Sequence, residues 1–271
     1  MASSLKIATA TATGKIAIGK NDKIDLKKLF ENIPIAPSNK NEGILSAVFN
    51  KEVRGIVKTT VKKRNKGNKE PKCTRKFENQ VSLFIRRKFD EDEIDEKESA
   101  YIDRDKCITS FNVKVFPNGM VQMTGLKSLN QGYWVLYLLS IFLNIKEEPF
   151  DYQIHMINSH FKFGYALDFD LLMDRIADKG LFYVYDPVTY HGLKVSFWYN
   201  NHMDGICHCN PKCKSKTRTK ATQEGRSKAE SKCKKITIIF FITGAIIITG
   251  GNKIEHIETC YKQALSICKE E

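Results

Sequence analysis

One stretch of the chain holds residues whose types and spacing could do chemistry. It reads C-H-C-N-P-K-C from Cys207 to Cys213, and a fourth thiol, Cys233, follows in the same basic insertion. Four thiolates, or three with the imidazole of His208, could close a tetrahedral zinc site. The competing reading is a basic loop with free thiols. The insertion has little apolar content to fold around, so structural zinc is the expectation, separate from any other function. The remaining cysteines, Cys73, Cys107, Cys260 and Cys268, are scattered, and the last two are expected in a core. No catalytic set stands beside them: the chain has no Walker loop, no HExxH, no G-x-S-x-G and no dinucleotide fingerprint. Asp168 with Asp170, and Asp174 with Asp178, read as helix-end or helix-surface acids, so no enzyme is expected.

A second pattern is an internal repeat. Lys114 to Gly125 reads K-V-F-P-N-G-M-V-Q-M-T-G, and Ile239 to Gly250 reads I-F-F-I-T-G-A-I-I-I-T-G. Phe116, Gly119, Thr124 and Gly125 align with Phe241, Gly244, Thr249 and Gly250, each 125 residues on. Each copy predicts a β-hairpin with glycine in the left-handed slot of a three-residue loop. Period-2 alternation then puts Val113, Val115, Val121 and Met123 on one face, with Lys114, Phe116, Gln122 and Thr124 on the other. In the second copy Ile238, Phe240, Ile246 and Ile248 oppose Ile239, Phe241, Ile247 and Thr249. The first face of each copy suits a core. The second keeps a ring and a hydroxyl at matching places, which a core would not require.

The elements that must position these hairpins follow in chain order. Lys6–Ile18 predicts a strand, and Asp25 caps a short helix ended by Pro34. Gly43–Val57 predicts a strand broken near Arg54-Gly55, and Phe77–Arg87 another. The basic run 58–76 and the acidic run 89–98 read as solvated insertions. Residues 127–145 predict a long helix with Trp134, Leu138, Ile141, Phe142 and Ile145 on one face. The order then restarts. Gln153–Phe163 is a strand, and Asp168–Asp178 a helix with Leu171, Leu172 and Ile176 inward, stopped by Gly180. Strands Leu181–Tyr185 and Leu193–Tyr199 flank Asp186-Pro187. The insertion 200–235, the second hairpin and a closing helix 252–269 complete the chain. Two halves, 1–149 with charged insertions at about 58–76 and 88–106, and 150–271, are expected to form one antiparallel sheet with helices on one side. An apolar face left free on the other side needs a partner.

The chain has 271 residues and a formal net charge of +13. A basic balance of this size points to a polyanionic partner, nucleic acid or an anionic membrane, without choosing between them. The N-terminus M-A-S-S-L-K lacks an apolar signal region, so an intracellular, reducing compartment is expected. Ile236–Ile248 is almost wholly apolar. It is shorter than the roughly 20 residues a spanning helix needs, so a buried hairpin is expected and no membrane partner.

The duplicated F-x-x-G-x-x-x-x-T-G hairpins, the order of elements, and Y-D-P-V-T-Y-H-G-L-K at Tyr185–Lys194 together resemble the TATA-binding protein family, and within it the divergent versions of large double-stranded DNA viruses. The resemblance covers nearly the whole chain outside the insertions. It implies an α+β fold: a pseudo-twofold duplicated saddle, one curved antiparallel sheet with helices on the convex face, whose concave face grips the DNA minor groove. It also implies two pairs of ring wedges, Phe116 with Phe77 and Phe241 with Tyr190. Thr124 and Thr249 match groove-floor threonines, and Ile239 and Ile247 match aliphatic floor contacts. Lys6 and His155 stand where the family has base-contacting asparagines, with Asn158 close by. Lys127 matches a phosphate-contacting lysine, whose second-half counterpart is Asn252.

The departures from the family carry their own expectations. Tyr190 puts a hydroxyl on a wedge. Lys114 and Gln122 replace aliphatic floor residues, and Gln122 could accept a hydrogen bond from the guanine amino group that an apolar floor rejects. A looser sequence preference than strict TATA is therefore expected. The implied function is promoter recognition with DNA bending, needing no cofactor, by a protein that is monomeric on DNA. The implied partners are double-stranded DNA, a transcription factor IIB-like protein near Asp186 and Tyr190, and RNA polymerase. The implied locations are host nucleus, cytoplasmic viral factory or virion. The alternative is the same fold serving as a protein-interaction module without specific DNA readout.

Overall fold

A computed structural model of the chain describes residues 2–19, 22–37, 42–56, 78–89, 94, 96–102, 108–209, 213 and 233–269. The basic run 58–76, Phe77, Cys73 and Cys107 lie outside the described residues, as do half of the acidic run and most of the cysteine-bearing insertion. The chain divides into two compact units: Thr9–Ile154, and His155–Glu271 together with Met1–Ala8. The first residues of strand β1 (Lys6–Lys15) therefore count with the C-terminal unit.

The N-terminal unit contains most of β1, then α1 (Leu26–Asn32), β2 (Gly43–Phe49), β3 (Glu52–Gly55), β4 (Val81–Lys88), α2 (Glu96–Ser99), β5 (Ile108–Val115), β6 (Met120–Leu126) and α3 (Gln131–Phe142). Its strands run in the order β3-β2-β4-β5-β6-β1, each paired antiparallel with its neighbours. The C-terminal unit contains most of β7 (Phe150–Lys162), whose first residues count with the N-terminal unit, then α4 (Phe169–Asp178), β8 (Phe182–Asp186), β9 (Tyr190–Tyr199), β10 (Lys234–Phe240), β11 (Ala245–Gly251) and α5 (Ile254–Cys268). Its order is β7-β11-β10-β9-β8, again antiparallel. The architecture is α+β, with each unit a meandering sheet whose core lies between one sheet face and its helices.

Local chemistry explains most element ends. Asp25 accepts from the Lys28 N–H at 3.0 Å, and Asp168 from the Asp170 and Leu171 N–H groups at 3.0 and 3.2 Å; both are side-chain N-caps. The hairpins form as their sequence predicts. Phe116 N–H donates to Met120 O and Phe241 N–H to Ala245 O, each at 2.9 Å, while Gly119 and Gly244 take φ of +76° and +81°. The Thr-Gly that closes each motif also has a backbone reason. Gly125 and Gly250 sit at φ +92° and +101°, where the register of β6 against β1, and of β11 against β7, shifts by a bulge.

Four expectations change. The break in 43–57 is a two-residue hairpin at Asn50-Lys51, both at positive φ (45° and 74°), rather than at Arg54-Gly55. Helix α3 buries Val135, Leu136 and Leu139, while Ile141 is 58% exposed. It is apolar around most of its girth, so periodicity singles out no face. Trp134 leans edge-on against Phe89 and Phe111, with ring centroids 6.0 and 6.4 Å away. On α4, Phe169 joins Leu172 and Ile176 inward, and Leu171 is exposed. The acidic run is not wholly solvated: Glu98 is buried and accepts from the Leu129 N–H at 2.7 Å, tying α2 to the approach to α3.

Candidate nucleic-acid interface

In both units the sheet face turned away from the helices carries the repeated motif. In the N-terminal unit Val113, Val115, Val121 and Met123 are fully buried, and Lys114, Phe116, Gln122 and Thr124 point the other way, half-buried or exposed. Thr124 lies opposite Thr11 on β1 and Asn112 on β5, and Gln122 lies between Thr13 and Lys114. The neighbouring strand β4 buries Val81, Leu83 and Ile85 and turns Ser82, Phe84 and Arg86 to the open face. Arg86 Nε donates to Ser110 Oγ at 3.1 Å, which holds its guanidinium over that face. Phe84 and Arg86 escaped the motif-based reading, although the alternation V-S-L-F-I-R carries the signal.

In the C-terminal unit Ile238, Phe240, Ile246 and Ile248 are fully buried, and Ile239, Phe241, Ile247 and Thr249 form the opposite face. Thr249 is paired across strands with Thr237 and Asn158, and its hydroxyl donates to the Asn158 side-chain oxygen. Asn158 is thus the β7 residue opposite Thr249, and His155 is exposed three residues away. Lys6, the first residue of β1, is half-buried between buried Leu5 and Ile7.

Tyr190 and Phe241 meet edge to face, with ring centroids 6.0 Å apart and planes at 66°. Lys194 places its ammonium 4.2 Å from the Tyr190 ring centroid, and lies opposite Ile239. Gly192 makes room for the group: a Cβ there would come within 2.6 Å of Tyr190 Cε1 and 2.7 Å of Ile239 Cγ2. Beside it, Asp186 accepts from Thr189 Oγ1 at 2.6 Å and from the Val188 N–H at 3.1 Å. These bonds, the Thr189 hydroxyl first, hold its carboxyl below the usual carboxylate range. They shape a tight turn whose tip, Val188, is 94% exposed.

The repeat continues past the hairpins. The Lys127 N–H donates to Gln131 Oε1 at 2.8 Å, and the Asn252 N–H to His256 Nδ1 at 3.4 Å. Residues 125 apart thus close both helix entries in the same way. His256 is buried, its ring centroid 4.3 Å from that of Tyr199 with the planes tilted by 53°. Burial, with Lys234 and Lys253 nearby, lowers its pKa from the ordinary histidine value.

The cysteines of the insertion converge. The Sγ atoms of Cys207, Cys209, Cys213 and Cys233 all lie within 4.8 Å of one another. His208 instead faces Asp204, Nε2 to Oδ2 2.6 Å. The Cys213 N–H donates to Cys207 Sγ at 3.2 Å, the main reason that thiol falls to about 7. Cys209, hydrogen-bonded to Cys233, and the desolvated Cys213 and Cys233 are all pushed up. Cys260 and Cys268 are buried on α5, and burial raises both, Cys268 to about 12. Among the described residues no helix is long and apolar enough to cross a membrane.

Each of the two α+β units buries one face of a meander under helices and repeats a ring, a glycine and a Thr-Gly on the other. The sequence is similar to a TATA-box-binding protein-like protein of Acanthamoeba polyphaga mimivirus, at 27% identity over 287 residues, covering 95% of this chain and 63% of that protein. This chain thus spans less than two thirds of that relative's length. Among solved structures it is similar to the TBP of Methanococcus jannaschii, at 16% identity and TM-score 0.49, covering 99% of this chain and all of that one. A rolling-circle replication initiator of Geobacillus stearothermophilus follows at 10% identity and TM-score 0.29, covering 95% of this chain and 78% of that one. No family model matches.

Proposed function

We propose that this chain binds double-stranded DNA in the minor groove and bends it at promoters, as a TATA-binding-protein-like initiation factor. One observation carries the reading. Phe116 and Phe241 occupy the same place in the two repeats, each on the helix-free sheet face and each sharing that face with a threonine, Thr124 or Thr249. Apolar rings inserted at a base step unstack it and kink the duplex, and the bent duplex then covers more protein surface. Basic side chains on the same faces, Lys114 and Arg86 in one unit and Lys194 in the other, suit the phosphates that flank a groove. Because both copies lie in one chain, a monomer suffices. The exposed turn at Asp186–Thr189 is the proposed contact for a transcription factor IIB-like protein, and through it for RNA polymerase.

Electrophoretic mobility shift and end-to-end fluorescence transfer on AT-rich and GC-containing duplexes, over a salt series, test this. The expected result is bent complexes, steep loss of affinity with salt, and loss of bending in Phe116→Ala and Phe241→Ala. Base stacking on an aromatic side chain is worth about 1–3 kcal/mol. Each substitution should therefore weaken binding about tenfold or more. Binding indifferent to both rings would overturn the reading and favour a protein-interaction module.

A further inference from the structure

We propose that Cys207, Cys209, Cys213 and Cys233 bind a single structural zinc ion that locks together the two stems of the β9–β10 connection. A tetrahedral ion with Zn–S bonds of about 2.3 Å sets its sulfurs about 3.8 Å apart. Cys209 and Cys233 lie 3.5 Å apart, and Cys207 and Cys233 3.9 Å. A disulfide needs about 2.05 Å, so neither pair is bonded. Sulfurs gathered this closely leave room for one ion and none for a cluster.

The surroundings fit the same reading. Sulfur ligands of a metal carry negative charge and are steadied by N–H donors. Cys207 Sγ receives the Cys213 N–H at 3.2 Å, and Cys233 Sγ faces Asn200 Nδ2 at 3.6 Å. Asn200 also donates to the Ile206 carbonyl at 2.7 Å, so one side chain orients both stems. With His208 held by Asp204, the donor set is four thiolates. Such a set leaves no open position, which marks a structural site rather than a catalytic one.

The topology says what the ion would do. Cys207 and Cys209 follow β9, and Cys233 directly precedes β10, whose register with β9 begins at Lys234↔Tyr199. Closing the four sulfurs on one ion fixes both ends of the segment 214–232 at one point beside the sheet. That segment carries seven Lys or Arg and two Glu. The proposal is independent of DNA binding.

Elemental analysis of the full chain purified with zinc present, and cobalt substitution of the same protein, test it. One zinc per chain is expected, with cobalt giving the visible absorption of a tetrahedral thiolate site. Cys209→Ser and Cys233→Ser should each lose that zinc, and His208→Ala should keep it. If a cysteine variant does not fold, the cobalt spectrum of the unaltered chain decides. Iron in place of zinc, an octahedral cobalt spectrum, or absence of bound metal would each overturn the proposal, as would loss of zinc in His208→Ala.

Discussion

Tyr190 and Phe241 come from strands joined by a long insertion, yet their rings meet at 6.0 Å in a T-shaped pair. The Tyr190 hydroxyl does not prevent the pairing, because the ring's edge and face make the contact. Lys194 lies over the same tyrosine. The group is a small aromatic-cationic platform on the helix-free face of its unit, and the space for it is a missing Cβ at residue 192.

Gly192→Ala tests that platform. The new methyl would press on the tips of Tyr190 and Ile239, which can swing away, and not on backbone. An aromatic pair is worth about 0.5–1.5 kcal/mol beyond its burial, so thermal stability should fall only slightly. DNA affinity should drop about tenfold if the rings must be held together. Paired thermal denaturation and mobility-shift titration separate the two effects.

Asn158→Ala should weaken DNA binding more than His155→Ala. Asn158 meets the Thr249 hydroxyl on the open face. Loss of a groove-reading contact typically costs about 1–3 kcal/mol. Equal titrations for the two variants would place the reading group elsewhere.

Gln122→Leu should sharpen preference for A·T over G·C. Gln122 lies between Thr13 and Lys114 on the open face, where its amide can accept from a guanine amino group. Replacing it with an aliphatic chain removes that acceptor. Competition between duplexes differing at one base pair reads the change, and an unchanged ratio refutes the role given to Gln122.

Stability should fall as pH drops below about 6.5, the ordinary histidine value. His256 titrates lower in the folded chain than in the unfolded one, because burial and two lysines oppose its charge. The unfolded state therefore binds the extra proton first. The stabilisation is complete above the unfolded pKa and is lost as pH falls through the folded one. Protonating Nδ1 also removes the acceptor for the Asn252 N–H. Urea denaturation from pH 7.5 to 5 should show the decline, and His256→Gln should flatten it.

Local rules carried much of this protein. The hairpins were legible because a 125-residue offset aligned ring, glycine and Thr-Gly without gaps, and because alternation assigns faces wherever one face is buried. Asp25 was legible as a cap because a cap depends only on the next three residues.

What remained hidden required contact between distant segments. Helix α3 could bury any of several apolar stripes, and only packing against β6 chose Val135 and Leu139 over Ile141. Glu98 reads as one acid in a solvated run, until the Leu129 N–H 31 residues later takes it inside. Spacing also left His208 open as a ligand, and a carboxylate four residues earlier drew it away. The sequence by itself determined which residues share a face, because strand geometry is periodic and local. Tertiary structure alone decided which faces and side chains meet, because that depends on the shape and charge of partners the chain reaches only when folded.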